Sequence, residues 1–279
     1  PLAAFFLFAA VVSCQKEATA PGTEGNGQTK LNVFLTDGPY DFQQVLIDIR
    51  QIAVKIDTCR RNGDDDHEGP GCDDEHDSLS GRCEIWDTLD IVPGVYDLVQ
   101  LRNGVDTLLA SSFVLNGKIE RIKVTLGTAN SVMVDSVVHP LNLVGGLNYV
   151  YINVGREHLD SLSSSNFNLY LDFDLSRSIR FTGGQYWLKP VLKPFGHHSS
   201  GEIEGKVRPV HSWGTIRATN GTDTVYARPW DEGEFKIRGL RAGNWDLYID
   251  GINGYSDTTI TGIPVQRGRE TDLGTIRLQ

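Results

Sequence analysis

The chain of 279 residues is longer than a typical domain of about 100 to 200 residues, so it can bury more than one core. Its net charge of −10 argues against nucleic acid as a partner, because a nucleic-acid-binding protein is expected to carry a basic face. Valine, isoleucine, threonine and aromatic residues recur in short runs broken by glycine, asparagine and aspartate, and long helical periodicity is nearly absent. The sequence therefore predicts an all-β protein of two β-sandwich modules.

An apolar run, residues 2–12, opens the chain and is followed by Ser13 and Cys14. About eleven apolar residues are too few for a spanning helix, which needs about 20, but they match the core of a signal peptide. The Ser13-Cys14 pair resembles the lipobox of bacterial lipoproteins, in which cleavage before the cysteine exposes it for acylation. We therefore expect residues 1–13 to be a truncated signal peptide, Cys14 to be the lipidation site, and the lipid to anchor the protein in a membrane.

Residues 14–30 are rich in glycine, threonine and glutamate and have almost nothing apolar to bury, which predicts a flexible tether behind the lipidated cysteine. Gln15 stands where an aspartate would, by resemblance to enterobacterial sorting signals, favour retention in the inner membrane. Residues 15–17 also resemble a weak form of the acidic surface-export signal of some Gram-negative lipoproteins. The expected location is the outer membrane, with the protein facing the periplasm or the cell surface.

The first module, residues 31–195, begins with a strand at 31–35, a turn at 36–41 and a long strand to about residue 56. The apolar alternation of the long strand changes parity in its middle, which predicts a β-bulge near Arg50 and Gln51, since a one-residue slip turns every side chain to the other face. The dipeptide Asn116-Gly117 predicts a hairpin, because both residues tolerate positive φ. A short helical turn is expected from Asp174. Further strands are predicted at about 84–89, 95–101, 112–115, 119–126, 132–134, 147–154, 168–173 and 186–192.

Several blocks of this module resemble a lipoprotein family of unknown function, domain-of-unknown-function family 4382. The blocks are residues 34–39 (FLTDGP), 126–127 (LG), 130–132 (NSV), 171–174 (LDFD), 178–179 (SI) and 186–190 (YWLKP). The resemblance covers about residues 30–195, implies an exported lipoprotein domain and supplies no activity. The sequence departs from the family in the insertion after Thr58 and at Gly38, where the family often has alanine.

The insertion, residues 59–83, holds eight acidic residues and three arginines, and its glycine and proline content predicts a loop between two strands. Its carboxylates are hard oxygen ligands of the kind that calcium prefers, although the D-x-D-x-D-G pattern of a calcium loop is absent. A solvated acidic loop is the favoured interpretation, calcium is the cofactor considered next, and zinc bound by Cys59, Cys72, Cys83, His67 and His76 is disfavoured because exported thiols oxidise. The candidate calcium ligands are Asp64, Asp66, Glu68, Asp73, Asp74 and Asp77.

Lipidation of Cys14 would leave three other cysteines, which can form at most one internal disulfide. Cys59 and Cys83 bracket the acidic loop at the ends of two expected neighbouring strands, so they are the preferred pair, with Cys59–Cys72 as the alternative. Closing a loop of this size stabilises a fold by about 3 kcal/mol on the chain-entropy estimate.

Residues 196–201 are expected to form a polar linker, in which the adjacent His197 and His198 are less suited to a metal than to a hinge. From residue 202 to 279 the chain resembles the carboxypeptidase regulatory-like family, a transthyretin-like β-sandwich without peptidase chemistry. Phe235 and Ile237 are predicted to face its core, and Asn220-Gly221 predicts a hairpin between 215–218 and 224–227. The likeness is carried by residues 205–207 (GKV), 233–240 (GEFKIRGL), 242–245 (AGNW) and 265–268 (VQRG).

No catalytic signature is present in the sequence, which lacks the G-x-S-x-G, H-E-x-x-H, phosphate-loop and dinucleotide patterns. Asp172 and Asp174 share one face of a strand, but we expect Asp174 to cap the following turn and Asp172 to be a hydrogen-bonding partner. The predicted function is therefore a non-enzymatic binding or spacer lipoprotein of the cell envelope. The alternative is a calcium-dependent adhesin or glycan-binding protein, with a glycan or an envelope protein as partner; Tyr226, Trp230 and Tyr255 are candidate sugar-stacking aromatics, although surface packing is favoured for them.

Overall fold

The computed structural model describes residues 27–38, 42–58, 83–154, 162 and 166–279. Within these ranges the protein is built of β-strands with one short α-helix and two 3-10 turns, which confirms the predicted all-β class. The 3-10 turns are Leu98–Leu101 and Val144–Gly146, and helix α1 is Leu175–Ser178. The strands are β1 (Gln28–Gly38), β2 (Gln44–Asp57), β3 (Glu84–Thr88), β4 (Gly94–Asp97), β5 (Thr107–Leu115), β6 (Lys118–Leu126), β7 (Ser131–Val134), β8 (Val137–Leu143), β9 (Tyr149–Asn153), β10 (Asn166–Asp174), β11 (Ile179–Thr182), β12 (Gln185–Leu188), β13 (Leu192–Phe195), β14 (Gly201–Arg208), β15 (Trp213–Thr219), β16 (Thr224–Ala227), β17 (Glu234–Leu240), β18 (Gly243–Gly251), β19 (Thr258–Val265) and β20 (Glu270–Arg277).

Strands β1–β13 form two sheets that enclose one core, and we call them the N-terminal unit. The smaller sheet has the order β13-β10-β1-β5, and the larger runs β11-β12-β8-β7-β2-β6-β9, with β3 and β4 paired to β2. Leu31, Val33 and Leu35 of β1 alternate inward and are fully buried against residues of the larger sheet such as Ile47 and Ile122. The two sheets therefore pack as a sandwich.

The long strand β2 carries the predicted bulge. Val45, Ile47 and Ile49 are buried on one parity, Arg50 and Gln51 are exposed, and the buried set continues at Ile52. The pairing of β2 with β6 shifts register between Ile49 and Gln51. The extra residue keeps both apolar sets in the same core, as the parity change in the sequence indicated.

Two local predictions for this unit were wrong. The strand expected at 95–101 ends at Asp97, whose side chain accepts a hydrogen bond from the Val99 N–H and caps the 3-10 turn that follows. Asn116-Gly117 does not form a hairpin, because β5 and β6 lie in different sheets. The Asn116 side chain instead accepts a hydrogen bond of 2.8 Å from the Thr29 hydroxyl. Tertiary contacts thus replace the turn that the dipeptide favours in isolation.

The end of the N-terminal unit also differs from expectation. The predicted strand 186–192 is two strands, β12 and β13, which belong to different sheets. The chain breaks at Pro190, which has no N–H to donate. Buried Ser178 bridges the break, since its carbonyl accepts from Lys189 N–H and its hydroxyl from Val191 N–H. Strands β8 and β11 were not predicted, and Pro140 within β8 is a residue that argues against a strand.

Strands β14–β20 form a second sandwich, the C-terminal unit, with sheets β17-β14-β20 and β16-β15-β18-β19. As predicted, Phe235 and Ile237 lie in its core, each 2% exposed, and Trp245 is buried beside them at 1%. The hairpin β15–β16 is also confirmed, with the Asn220 side chain accepting hydrogen bonds from the N–H groups of Thr222 and Asp223 in the connecting loop. None of the helices in the described ranges has the length and hydrophobicity of a membrane-spanning segment.

Candidate functional site

The two units meet at a junction between the small N-terminal sheet and strand β17, and Arg238 of β17 lies at its centre. The Arg238 side chain is only 8% exposed and its Nη1 lies 3.1 Å from the carboxylate of Asp106 in the N-terminal unit. Its Nη2 lies 3.3 Å from the hydroxyl of Thr36 on β1. A buried guanidinium needs such partners, because leaving it unpaired away from water is costly.

A stack of three aromatic rings forms the N-terminal floor of the junction. Phe34 and Tyr170 stack at 5.1 Å between centroids with an 18° interplanar angle, and Tyr170 and Phe195 stack at 5.2 Å with 17°. These residues come from β1, β10 and β13, which are neighbours in the small sheet. The Arg238 guanidinium lies 5.1 Å from the Tyr170 ring, within cation–π distance. Burial raises the pKa of Tyr170, and the nearby carboxylate of Asp106 raises it further.

Contacts at the edge of the junction add to this centre. The Asn103 amide donates a 2.7 Å hydrogen bond to the Arg228 carbonyl of the C-terminal unit. The Arg102 guanidinium lies 4.5 Å from the centroid of the Trp230 ring. Lys193 of β13 pairs with Asp223 at 3.2 Å. The junction therefore combines packed rings, hydrogen bonds and ion pairs from both units.

Asp37, at the end of β1, is a buried acid beside this junction. It is 6% exposed, and within the described residues neither oxygen of its carboxyl group has a hydrogen-bond partner. Burial raises the pKa of Asp37 well above its usual value, and the neighbouring carboxylates of Asp172 and Asp174 raise it further, while Arg102 opposes them. The surroundings therefore favour the neutral carboxylic acid.

A cavity of about 20 Å³ lies between the units, with Thr36, Asp37, Asp172 and Arg238 in its lining. It is large enough for about one water molecule. Asp174 does not complete a metal site there, because its Oδ1 is taken by the Ser176 hydroxyl and the Arg177 N–H, which confirms its predicted role as a helix cap. Among the described residues, no group of three or more His, Cys, Asp or Glu side chains is arranged to hold a metal ion.

A wider groove of about 450 Å³ opens beside Trp230 and β17. Its charged side chains are largely paired with one another: Lys206 with Glu234, and Lys236 with Glu204 and Glu270. Burial lowers the pKa of Lys236 and is the largest single influence, but the hydrogen bonds that Lys236 donates to Glu270 and Glu204 outweigh it and raise that pKa above its ordinary value. Both lysines of the groove are therefore neutralised by carboxylates, so the groove is not a cationic pocket.

Most of the aromatic and histidine residues that the sequence offered as ligand contacts are packed against or paired with other residues of the protein. Trp230 is half-buried under Arg102, and Tyr255 packs against the C-terminal core. Tyr226 is half-buried in the wall of the 20 Å³ cavity. His197 lies 3.1 Å from Glu202 and packs edge-on against Tyr170. The segment predicted as a polar hinge is a hydrogen-bonded turn in which Ser200 N–H donates to the Gly196 carbonyl and Ser199 and Ser200 are buried.

Most of the predicted site residues lie outside the described residues. These are Cys14, Cys59 and the calcium candidates Asp64, Asp66, Glu68, Asp73, Asp74 and Asp77. Cys83 is described and is disulfide-bonded. A disulfide at Cys83 is a feature of the preferred pair Cys59–Cys83 and not of the alternative pair Cys59–Cys72. The Cys83 carbonyl accepts hydrogen bonds of 2.9 Å from both the N–H and the hydroxyl of Thr58, the residue before Cys59, and the pairing of Cys59 with Cys83 stays a prediction.

A non-reduced proteolytic digest of the protein is expected to contain one linked pair of peptides, one with Cys59 and the other with Cys83. The physical reason is that paired strand ends bring the flanking residues within disulfide reach. Mass spectrometry before and after reduction measures the link, and alkylation before reduction should label Cys72. A linked pair that joins Cys72 to Cys83 would contradict this assignment.

The residues that build the junction were not predicted. Arg238 follows the apolar alternation of Phe235 and Ile237 as an ordinary outward-facing residue, and its partner Asp106 is 132 residues away in the chain. No local pattern connects the two. The alternation of Leu169, Tyr170 and Leu171 indicated that Tyr170 points away from the core. No local pattern indicated that a second unit covers its ring.

Comparison with solved structures finds several weak matches. The chain matches the TIE protein of Bacillus anthracis at 9% identity and a TM-score of 0.24, covering 91% of this chain and 34% of that one. It matches the minor pilin GBS52 of Streptococcus agalactiae at 10% identity and 0.23, covering 88% and 94%. The shaft pilin SpaA of Lactobacillus rhamnosus GG matches at 9% and 0.21, covering 90% and 97%. At TM-scores this low, neither a shared fold nor a shared function follows, and the chain spans about a third of the Bacillus anthracis protein.

A search of curated proteins finds no significant match. The family comparison is different in kind, because it aligns residues 28–190, more than half of the chain, with one family profile. The aligned range contains β1, with Asp37 and Thr36, and β10, with Asp172 and Asp174, whereas the junction residues Lys193 and Phe195 of β13 lie just beyond it. The chain belongs to the family described as a domain of unknown function, DUF4382.

Proposed function

We propose that this chain is a lipid-anchored spacer and binding module of the bacterial cell envelope, without catalytic activity, held at the outer membrane and facing the periplasm or the cell surface. The observation that carries the spacer role is the junction: buried Arg238 pairs with Asp106 and packs on Tyr170. Two sandwiches joined by buried contacts hold a fixed relative position, whereas domains joined by a bare linker move independently.

The anchor is supported by the sequence, in which the apolar run of residues 2–12 ends at Ser13-Cys14. A cysteine that carries two or more acyl chains attaches a protein stably, since each buried methylene contributes about 0.8 kcal/mol. The C-terminal unit, which resembles the carboxypeptidase regulatory-like family in sequence, would be carried outward by the N-terminal unit. The resulting geometry suits contact with an envelope component.

Metabolic labelling with an alkyne fatty acid tests the anchor, with the chain expressed in a Gram-negative host behind an added methionine and basic residues. The wild-type chain is expected to take up label and to sediment with the membrane fraction, because acylation is the attachment. Cys14→Ser is expected to lose both label and sedimentation, and Cys83→Ser is the matched control that keeps the label. Label that persists in Cys14→Ser, or wild-type protein that stays unlabelled, would contradict the lipoprotein assignment.

A further inference from the structure

One face of the large N-terminal sheet remains uncovered by the rest of the described chain. The inward residues of its strands, including Val54 of β2 and Ile122 of β6, are fully buried in the core. Residues of the opposite parity therefore point outward. Across neighbouring strands Trp86 lies opposite Lys55, and Lys55 opposite Arg121. In the following rows Lys123 lies opposite Tyr151, and Thr125 opposite Tyr149. We call Lys55, Trp86, Arg121, Lys123, Tyr149 and Tyr151 the aromatic-basic face.

The three rings of this face form one exposed cluster. Trp86 and Tyr151 lie 5.9 Å apart between centroids, and Tyr149 and Tyr151 lie 5.4 Å apart. Trp86 is 46% exposed, Tyr151 46% and Tyr149 39%. The strands β3 and β9 are separated by β2 and β6, so the rings lean toward each other over the middle of the sheet. Ala53, which points to this face, is only 7% exposed beneath them.

Cationic groups lie among these rings. The Lys123 ammonium is 5.0 Å from the Tyr149 centroid and 6.0 Å from that of Tyr151, and the Arg121 guanidinium is 5.6 Å from Tyr151. Arg121 donates one hydrogen bond of 3.0 Å to Asn153. Lys55 pairs with Glu84. Arg121 and Lys123, by contrast, form no ion pair with a carboxylate of the described residues, in a chain whose net charge is −10.

We propose that the aromatic-basic face binds a carboxylated polysaccharide, with the rings packing on the apolar faces of pyranose units and Arg121 and Lys123 pairing with uronate carboxylates. Arg121 has guanidinium donors beyond the one that Asn153 accepts, and guanidinium matches a carboxylate with two parallel hydrogen bonds. Contiguous apolar patches on a protein surface mark interaction sites. The inference rests on the proposed envelope location, which exposes this face to glycans, and it names the partner class that the location leaves open.

Two other occupants fit the face less well. Single-stranded nucleic acid also stacks on aromatic rings, but it requires a track of cations along its phosphates. On this face the described residues provide two cations without an ion pair, in a chain of negative net charge. A second copy of the chain would pair like charges, because the same cations would meet across a symmetric interface. Charge complementarity therefore favours a polymer that carries spaced negative groups and apolar ring faces.

Affinity electrophoresis of the purified full chain tests the inference with polygalacturonate as the carboxylated probe, dextran as the neutral one, dextran sulfate as the sulfated one and oligothymidylate as the nucleic acid. The expected result is retardation by polygalacturonate, weaker retardation by dextran sulfate, and none by dextran or oligothymidylate. Added NaCl should weaken the retardation by polygalacturonate, since screening reduces the contribution of exposed charges.

Variants then locate the binding. Tyr151→Thr keeps a strand-forming residue while removing the central ring, and it is expected to weaken polygalacturonate binding about five- to tenfold. The double variant Arg121→Gln with Lys123→Gln is expected to lose most of the salt-dependent binding. Phe113→Thr and Arg180→Gln are the matched controls and should bind as wild type. Phe113 is as exposed as Tyr151 but lies on β5 in the other sheet, and Arg180 is an exposed residue of β11. Circular dichroism and melting temperature confirm that each variant folds.

Three outcomes would overturn the inference: no retardation by polygalacturonate, unchanged retardation in both Tyr151→Thr and the double variant, or tighter binding of oligothymidylate. Sedimentation velocity adds a fourth, a dimer of the wild-type chain that Tyr151→Thr dissociates, which would make the face a self-association surface. None of these results alters the fatty-acid labelling of Cys14, so failure of the glycan inference and failure of the lipid anchor are distinguishable.

Discussion

Replacing Arg238 by alanine is expected to lower the free energy of unfolding by about 2 to 4 kcal/mol and to loosen the junction between the two units. The variant leaves the carboxylate of Asp106, 25% exposed, without its cation, and it removes the group that packs on Tyr170. Calorimetry measures the loss of stability, and the loosened junction should appear as separate unfolding transitions of the two units. Small-angle X-ray scattering should show a broader distribution of interatomic distances.

Two further variants separate the causes. Arg238→Met keeps an apolar stem against Tyr170 and Phe195, so it should recover part of the loss if packing contributes. Lys193→Met removes the ion pair with Asp223 at the same junction, where both side chains are about 30% exposed, and it should cost at most about 1 kcal/mol. An Arg238→Ala protein that unfolds and scatters like the wild type would show that the junction does not couple the units.

Replacing Asp37 by asparagine is expected to stabilise the protein at pH 8 by about 1 to 3 kcal/mol, and much less at pH 4. The pKa of Asp37 is raised in the folded state, chiefly by burial and then by Asp172 and Asp174. The folded protein therefore binds this proton more tightly than the unfolded chain does. The contribution of protonated Asp37 to the free energy of unfolding is fully present below the ordinary aspartate pKa of about 3.9. It is lost as the pH rises through the folded-state pKa. Asparagine is neutral throughout and removes that loss.

Urea unfolding of the wild type and of Asp37→Asn at pH values from 4 to 8 measures the effect as a difference between two curves. Asp90→Asn, at an exposed aspartate, is the matched control and should shift stability by no more than about 0.5 kcal/mol at any pH. A gain from Asp37→Asn that stays constant or shrinks as the pH rises would mean that the buried carboxyl is ionised and stabilised by a partner.

Local sequence features predicted those elements whose cause is local. The parity change around Arg50 and Gln51 placed the bulge of β2 correctly, because alternation with period two records directly which face each residue buries. Asp174 was correctly assigned as a cap, since its side chain reaches an N–H only three residues further on. The Asn220-Gly221 hairpin was correct for the same reason, as both paired strands follow each other in the chain.

The misassigned elements depended on distant partners. Asn116-Gly117 has the same chemistry as Asn220-Gly221, yet it connects two sheets because β5 pairs with β1 and β6 pairs with β2. Similarly, β1 pairs in parallel with β10, well over a hundred residues later in the chain. Strand pairing of this kind depends on shape and burial across the whole core, and neither strand records its neighbour in its own pattern.

The sequence by itself determined the all-β class and the inward and outward faces of most strands, and it is the basis of the lipobox prediction for Cys14, because alternation, length and residue type are properties of short segments. Only the tertiary structure decided that Arg238 meets Asp106, that Asp37 is buried without a hydrogen-bond partner among the described residues, and that Trp86, Tyr149 and Tyr151 form one exposed cluster. Those properties arise when residues far apart in the chain share one desolvated or exposed place, and burial and proximity exist only once the sheets have packed.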